Sequence, residues 1–194
     1  SSYTHYQTVD APSKNFATFD RGYSGGGSNT ISEGGTRVKG TDGSNSDSAV
    51  TTFGMTGKVV FDFKFHTVGG GYPKVGFIST GQSVDADDVI RYEVDTNAGT
   101  VRVYFQNEGT GSFTEITSAR IDNFDFDPNF PIRPAVSNYN NSEVSLLTGG
   151  QTSLSSVSTD FLELNQDNLD ATASKLTAWS WIRGRDSNDT YNHI

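Results

Sequence analysis

The sequence predicts an all-β protein built as an antiparallel β-sandwich, and three observations carry that prediction. Apolar and polar residues alternate with period two through Lys58–Thr67 and again through Asp88–Asn107, the pattern of strands with one buried face. Turn residues separate such segments roughly every 8–15 residues, the rhythm of a sandwich. The composition fits, with 21 Gly against 5 Pro and 12% aromatics in 194 residues, since β-branched and aromatic residues suit pleated sheets and Gly and Asn suit turns. A chain of this length buries about 70% of the surface that its unfolded form exposes, so one core is enough.

Residues 1–27 are polar, contain Gly25-Gly26-Gly27, and read as an arm that Phe16 and Phe19 can pin to a core. Thr30–Lys39 places Ile31 and Val38 around Gly34-Gly35, a short strand with a turn or bulge. Thr41–Ser48 is a solvated loop, and Ala49–Phe53 is a strand closed by the turn Gly54–Gly57. Lys58–Thr67 is the clearest strand, with Phe61, Phe63 and Phe65 on one face and Val60, Asp62 and Lys64 on the other. Burying each of those rings contributes about 2–3 kcal/mol, so that face must point into a core. Gly69–Pro73 turns the chain into a short strand, Lys74–Ser79, with Val75 and Phe77 inward.

Asp88–Asn107 reads as a hairpin about the turn Thr96-Asn97-Ala98-Gly99. Tyr92 and Val94 point one way, and Arg91, Glu93 and Asp95 the other. Beyond the turn, Val101, Val103 and Phe105 alternate with Arg102 and Tyr104. Phe113–Ile121 reads as a further strand. Pro134–Asn138 and Glu143–Leu147 read as a last hairpin around Tyr139–Ser142. Thr159–Asn168 is the one segment with helical spacing, with Thr159 as its N-cap. Leu176–Gly184 reads as a strand that starts a following module. The domain expectation is an arm over residues 1–27, a sandwich over 28–150, and a connector into further structure over 151–194. The chain reads as a piece of a longer polypeptide.

The net charge of −9 argues against a nucleic-acid footprint, which needs a basic surface, and against adsorption to anionic membrane by charge. No apolar run approaches the ~18 residues of a membrane helix. With no cysteine, disulfides and thiolate metal sites are excluded. The histidines, His5, His66 and His193, have no metal-ligand spacing. No Gly-x-Ser-x-Gly elbow is present. The carboxylates cluster twice, as Asp85, Asp87 and Asp88 and as Asp122, Asp125 and Asp127. Solvated loops are the expected reading of both. A Ca²⁺ site, or an acid–base pair facing across a groove, remains open for such clusters. No catalytic residue, metal ligand or cofactor is expected.

Several strings resemble SPRY domains, which are concanavalin-like sandwiches of jelly-roll type, and particularly those of tailed-phage structural proteins. They are Gly57-Lys58-Val59-Val60-Phe61-Asp62, Val75-Gly76-Phe77, Asp88-Val89-Ile90 with Asp95 and Ala98-Gly99-Thr100, and Pro134-Ala135-Val136-Ser137. The flanks Asp10–Thr18, Phe161–Asn165 with Asn168-Leu169, and Trp179–Asp186 resemble the segments that border such domains in phage proteins.

The resemblance implies a non-enzymatic virion protein, a tail-fibre or appendage module located on the extracellular phage particle. Its partners would be other virion proteins and a host-surface glycan or receptor. A fibre would be a homo-oligomer, a trimer. A capsid decoration protein and a glycan-cleaving enzyme with a lectin-like fold are the alternatives. A sandwich binds through loops at one end, which makes Tyr72, Asp85, Asp87, Asn138, Tyr139, Asn140 and Asn141 the candidate binding residues. A tyrosine face can stack on a sugar while amides bond its hydroxyls.

Overall fold

The structure is a computed structural model that describes residues 17–20, 29–41, 47–52, 54–69, 74–76, 82–127, 131–138, 141–147, 154 and 160–164. β1 (Asn29–Ser32) and β2 (Arg37–Gly40) pair over a 3₁₀ turn, Glu33–Gly35, so the expected single strand is a hairpin. They are followed by β3 (Asp47–Val50), β4 (Lys58–Thr67), β5 (Lys74–Val75), β6 (Val89–Asp95), β7 (Thr100–Gln106) and β8 (Thr114–Glu115). The last strands are β9 (Ala135–Asn138), β10 (Glu143–Leu147) and β11 (Leu162–Glu163).

The larger layer runs in the order β1-β2-β10-β4-β6-β7-β8, with β11 parallel to β4 beside it. The smaller layer is β3-β9-β5. All other pairings are antiparallel. The fold is therefore an antiparallel β-sandwich, as the alternation predicted.

The core lies between the layers. From the large sheet come Val59, Phe61, Phe63, Phe65, Ile90, Tyr92, Val94, Val101 and Val103; from the small one come Ala49 and Val136, all buried. Phe61 stacks on Tyr92 at 5.5 Å between ring centres, and Phe63 meets both rings edge-on at 5.7 and 6.1 Å. Tyr92 also spans the sandwich, because its hydroxyl donates to the Val75 carbonyl of β5 at 2.9 Å. Burial raises its pKa, so the hydroxyl stays a donor. Gly76 makes room for this ring: a Cβ there would lie 2.3 Å from Tyr92 Cζ, and its φ of 71° already disfavours any side chain. Phe19 is buried in the core, and Ala17 and Leu164 are core residues too.

Three local expectations are corrected. Pro134–Leu147 is not a hairpin, because β9 pairs with β3 and β5 while β10 pairs with β2 and β4. Both edges of each strand are taken by other partners, so the connection 139–142 crosses between the layers. Phe113–Ile121 is not one strand. Thr114–Glu115 pairs with β7, a 3₁₀ turn over Thr117–Ala119 breaks the run, and Ile121 rejoins β7 opposite Val101. In an unbroken strand Ile116 and Ile121 would face opposite ways; the break lets both pack against the core.

The helix expected over Thr159–Asn168 is contradicted where it is described. Leu162 and Glu163 pair in parallel with Val59 and Val60. β10 stops at Leu147, opposite Asp62, which leaves the remaining edge of β4 for β11. This tertiary opening outweighs local propensity. Phe16, Phe53, Phe77 and the 176–184 segment lie outside the described residues.

Two substitutions test the crossing at Tyr92. Tyr92→Phe leaves the Val75 carbonyl unpaired and should lower stability by about 1–2 kcal/mol in urea denaturation. Gly76→Ala should cost more, because overpacking adds to the left-handed backbone strain. Equal losses in the two variants would show that the ring does not fill the space above Gly76.

Candidate functional site

The registers bring five connections to one end of the sandwich. Asn138 at the end of β9 pairs with Asp47 at the start of β3, and Ser137 with Lys74 at the start of β5. Glu143 at the start of β10 pairs with Thr67 at the end of β4 and with Lys39 of β2. Val89 at the start of β6 pairs with Lys64 and with Gln106 at the end of β7. Connections 41–46, 68–73, 82–88, 107–113 and 139–142 therefore all spring from this end. The described candidate binding residues lie at this end. Asp85, Asp87, Asn138 and Asn141 are described, while Tyr72, Tyr139 and Asn140 lie outside the described residues.

The side chains brought together here have different jobs. Asp88, 3% exposed, accepts the Asp85 amide on one carboxylate oxygen and the Glu108 amide on the other, each at 2.8 Å. It thereby ties the 82–88 connection to the one after β7. Asp87 and Glu108 take left-handed backbone conformations, φ 70° and 51°, and both are exposed. Lys64 Nζ meets the Asp87 carboxylate at 3.0 Å. Gln106 Nε2 donates to the Gly111 carbonyl at 2.8 Å, which fixes the other side of the loop.

Asn138 is fully buried, and its amide donates to the Val38 carbonyl at 3.2 Å. It stitches β9 to β2 across the layers and is not displayed. Ser142, also buried, accepts the Gly69 amide on its hydroxyl at 3.0 Å, and its carbonyl accepts the Gly40 amide at 3.0 Å. Both ends of the 138–142 crossing are thus anchored, and Asn141 (φ 62°) is exposed between them.

The two acidic clusters do not converge. Asp85–Asp88 sits at the loop end, whereas Asp122 bonds Arg102 at 2.6 Å beside the β6–β7 turn. The length of β7, roughly 20 Å, separates them, so no groove has one cluster on each wall. Arg102 holds the Asp122 carboxyl below its ordinary range. Among the described residues no three His, Asp or Glu side chains gather to hold a metal ion.

The face of the large sheet turned away from the core holds groups that sequence reasoning missed. Arg91 and Asp62, 2% and 4% exposed, form a two-pronged ion pair at 2.8 and 2.9 Å. The Phe113 ring covers the guanidinium at 3.9 Å. Burial pushes the Asp62 carboxyl up, and Arg91 pulls it back. Glu93 is likewise raised by burial, against a Tyr104 hydrogen bond. His66 Nε2 lies 2.8 Å from the Ser145 hydroxyl, and Arg37 bridges Glu33 and Glu143 at 2.5 and 2.6 Å. Ser145 is buried in mid-sheet between β2 and β4, so the Ser–His contact joins strands. A carboxylate and an arginine at facing positions of two alternating strands were the only signal that could have found the Asp62–Arg91 pair.

No known family profile matches the chain, and no curated protein matches it. Solved structures similar to it include a TRIM65 PSpry domain, at TM-score 0.48 and 10% identity, covering 69% of this chain and 92% of that one. The NEUZ (NHR) domain in Neuralized from Drosophila melanogaster is similar at TM-score 0.48 and 15% identity, covering 76% of this chain and 95% of that one. The stonustoxin structure is similar at TM-score 0.47 and 16% identity; the match covers 68% of this chain and spans only 27% of that one. These likenesses concern the fold.

Asp88→Ala should cost about 1–3 kcal/mol by leaving two loop amides without an acceptor. Hydrogen exchange at Asp85 and Glu108 should accelerate together, and independent exchange at the two would show that Asp88 does not couple the loops. A second expectation concerns pH. Burial, then Arg37 and Lys64, lower the His66 pKa, with Glu143 and Glu33 opposing. Its folded value lies below its unfolded one of about 6.5, so its contribution is intact above the unfolded value and is lost as pH falls toward the folded value. The melting temperature should drop over that interval, and His66→Gln should remove part of the drop.

Proposed function

We propose that this chain is a non-enzymatic recognition module of a tailed-phage appendage, a tail fibre or related structure that attaches to a glycan on the host surface through its loop end. The observation that supports the binding site is that the described Asp85, Asp87 and Asn141 lie at one end of the sandwich, where Asp88 ties two of the loops; Tyr72, Tyr139 and Asn140 belong to this reading by their sequence positions in connections from the same end. The phage assignment rests on the ordered strings in strands and flanks that resemble phage SPRY-containing proteins. Tyr72 and Tyr139 supply faces for sugar rings, and Asn140 and Asn141 supply amides for hydroxyls. Asn138 supports this surface from below by its bond to Val38. Neighbouring virion proteins and further copies of the chain, three in a fibre, are the assembly partners of this reading.

The test is binding of the whole chain to a panel of bacterial cells and their extracted surface glycans. Saturable binding that Tyr139→Ala weakens at least tenfold, and that Phe124→Ala at the opposite end leaves intact, is the expected result. Absence of binding from a folded, correctly assembled protein would favour the capsid-decoration alternative.

A further inference from the structure

β6, β7 and β8 set four polar side chains next to one another on the outward face of the large sheet. Glu93 is registered with Arg102, and Tyr104 with Glu115. All four are half-buried, so the patch is partly open to solvent. The two guanidiniums nearest to it are committed elsewhere. Arg91 closes on Asp62 at 2.8 and 2.9 Å. Arg102 does not bond Glu93, its register partner; it reaches Asp122 at 2.6 Å and the carbonyls of Ile121 and Val101 at 2.8 and 3.0 Å.

The carboxylates are thereby left short of partners. Among the described residues Glu93 forms no ion pair, and Glu115 has Arg102 only at 3.8 Å. Glu115 Oε1 is shielded from water and accepts no hydrogen bond, a state that costs more for a charged acceptor than for a neutral one. Burial raises the Glu93 carboxyl; the Tyr104 hydrogen bond and Arg91 oppose this, and Asp62 and Glu115 add to it. Burial and then Glu93 and Glu115 raise the Tyr104 hydroxyl. One positive charge placed over this patch would relieve all three groups.

We propose that Glu93, Tyr104 and Glu115 form a binding site for an organic cation with N–H donors, a primary ammonium or a guanidinium. The two carboxylates accept its hydrogen bonds, which are strong because both sides are charged. Tyr104 lies on the strand between them, holds the Glu93 carboxylate by its hydroxyl, and offers a ring face to the cation. A divalent metal ion does not fit, since it takes about six or more oxygen ligands and among the described residues no three His, Asp or Glu side chains gather to hold one. A free amine or a lysine or arginine side chain of a partner protein supplies the same group. The inference is independent of what the loops bind.

The test uses the full chain and two probes, N-acetyl-arginine amide and tetramethylammonium chloride, followed by carboxyl and amide NMR shifts. The arginine probe should give saturable shifts centred on Glu93, Tyr104 and Glu115. Tetramethylammonium has no N–H and should bind more weakly. Glu93→Gln keeps the shape and removes the charge, and should weaken binding of the arginine probe about tenfold. Asp125→Asn removes an exposed charge from another part of the surface and should leave it unchanged. Shifts scattered over the exposed acids, or equal losses in the two variants, overturn the proposal, because general attraction to a chain of net charge −9 would then explain them. Should Glu93→Gln fail to fold, pH decides in the unsubstituted chain. The cation favours ionised Glu93, so affinity must fall as pH drops through the folded value of that carboxyl; an affinity independent of pH overturns the proposal. With the site supported, tighter binding of a Gly-Arg-Gly peptide than of the arginine amide identifies a protein side chain as the source, and equal binding a free cation.

Discussion

The sandwich depends on one side chain that belongs to both layers. Tyr92 sits in the middle of β6, takes the stacked face of Phe61 and the edge of Phe63, and sends its hydroxyl across to the backbone of β5. That bond fixes more than two residues. Val75, whose carbonyl receives it, is registered with Val136 of β9, and Val136 with Ala49 of β3. Among the described residues the small sheet has three strands, one of them two residues long; so short a layer gains little from its own ladder. A buried hydroxyl with a single acceptor supplies the direction that apolar packing lacks, because a carbonyl out of reach would leave a polar group unpaired in the core.

The opposite face of the large sheet has a different constraint. Asp62 and Arg91 face each other across β4 and β6 and are nearly as buried as the core. A buried ion pair is no guarantee of net stability, since desolvation of both charges offsets their attraction. What it does provide is register. Slipping β4 by one residue against β6 would set Asp62 opposite Ile90 or Tyr92 and strand a charge without its partner, at a cost of about 3–5 kcal/mol. The alternating rings on the inner face and the paired charges on the outer one therefore select the same alignment from both sides.

The sequence revealed those features that depend on neighbouring residues and concealed those that depend on distant ones. Lys58–Thr67 and the β6–β7 hairpin were legible because alternation and an Asn-Ala-Gly turn are local signals. Gly99 illustrates the limit. Its place in a turn was evident, but the reason no side chain fits there is the Phe124 carbonyl, 2.3 Å from where a Cβ would be. Likewise Glu143–Leu147 was legible as a strand, whereas its partners β2 and β4 were not, because a four-residue connection serves a hairpin or a crossing between layers equally well. The 159–168 segment misled for the same reason: an open stretch of β4 edge, invisible in sequence, turned Leu162-Glu163 into a strand. At the loop end, the positions of the turns were legible. The separate jobs of Asp88, Asn138 and Asn141 were not, because burial rather than residue type distinguishes an anchoring Asp or Asn from a displayed one.

Backbone strain completes the link between scaffold and loops. Among the described residues, five other than glycine have positive φ, and three of them, Asp87, Glu108 and Asn141, are exposed at the loop end. Such conformations cost of order 1 kcal/mol or more and persist only where surrounding structure over-determines them. Here the determinants are visible: the Asp88 carboxylate holds the Asp85 and Glu108 amides, and buried Ser142 holds Gly40 and Gly69 next to Asn141. Asp88 immediately precedes β6, whose register against β4 the Asp62–Arg91 pair sets, and the 138–142 crossing leaves β9, which the Tyr92 bond ties through β5. The anchors of the described loop residues are therefore tied to the core, and a change at Gly76 acts through Tyr92 and β5 on β9, the strand that leads to Asn141.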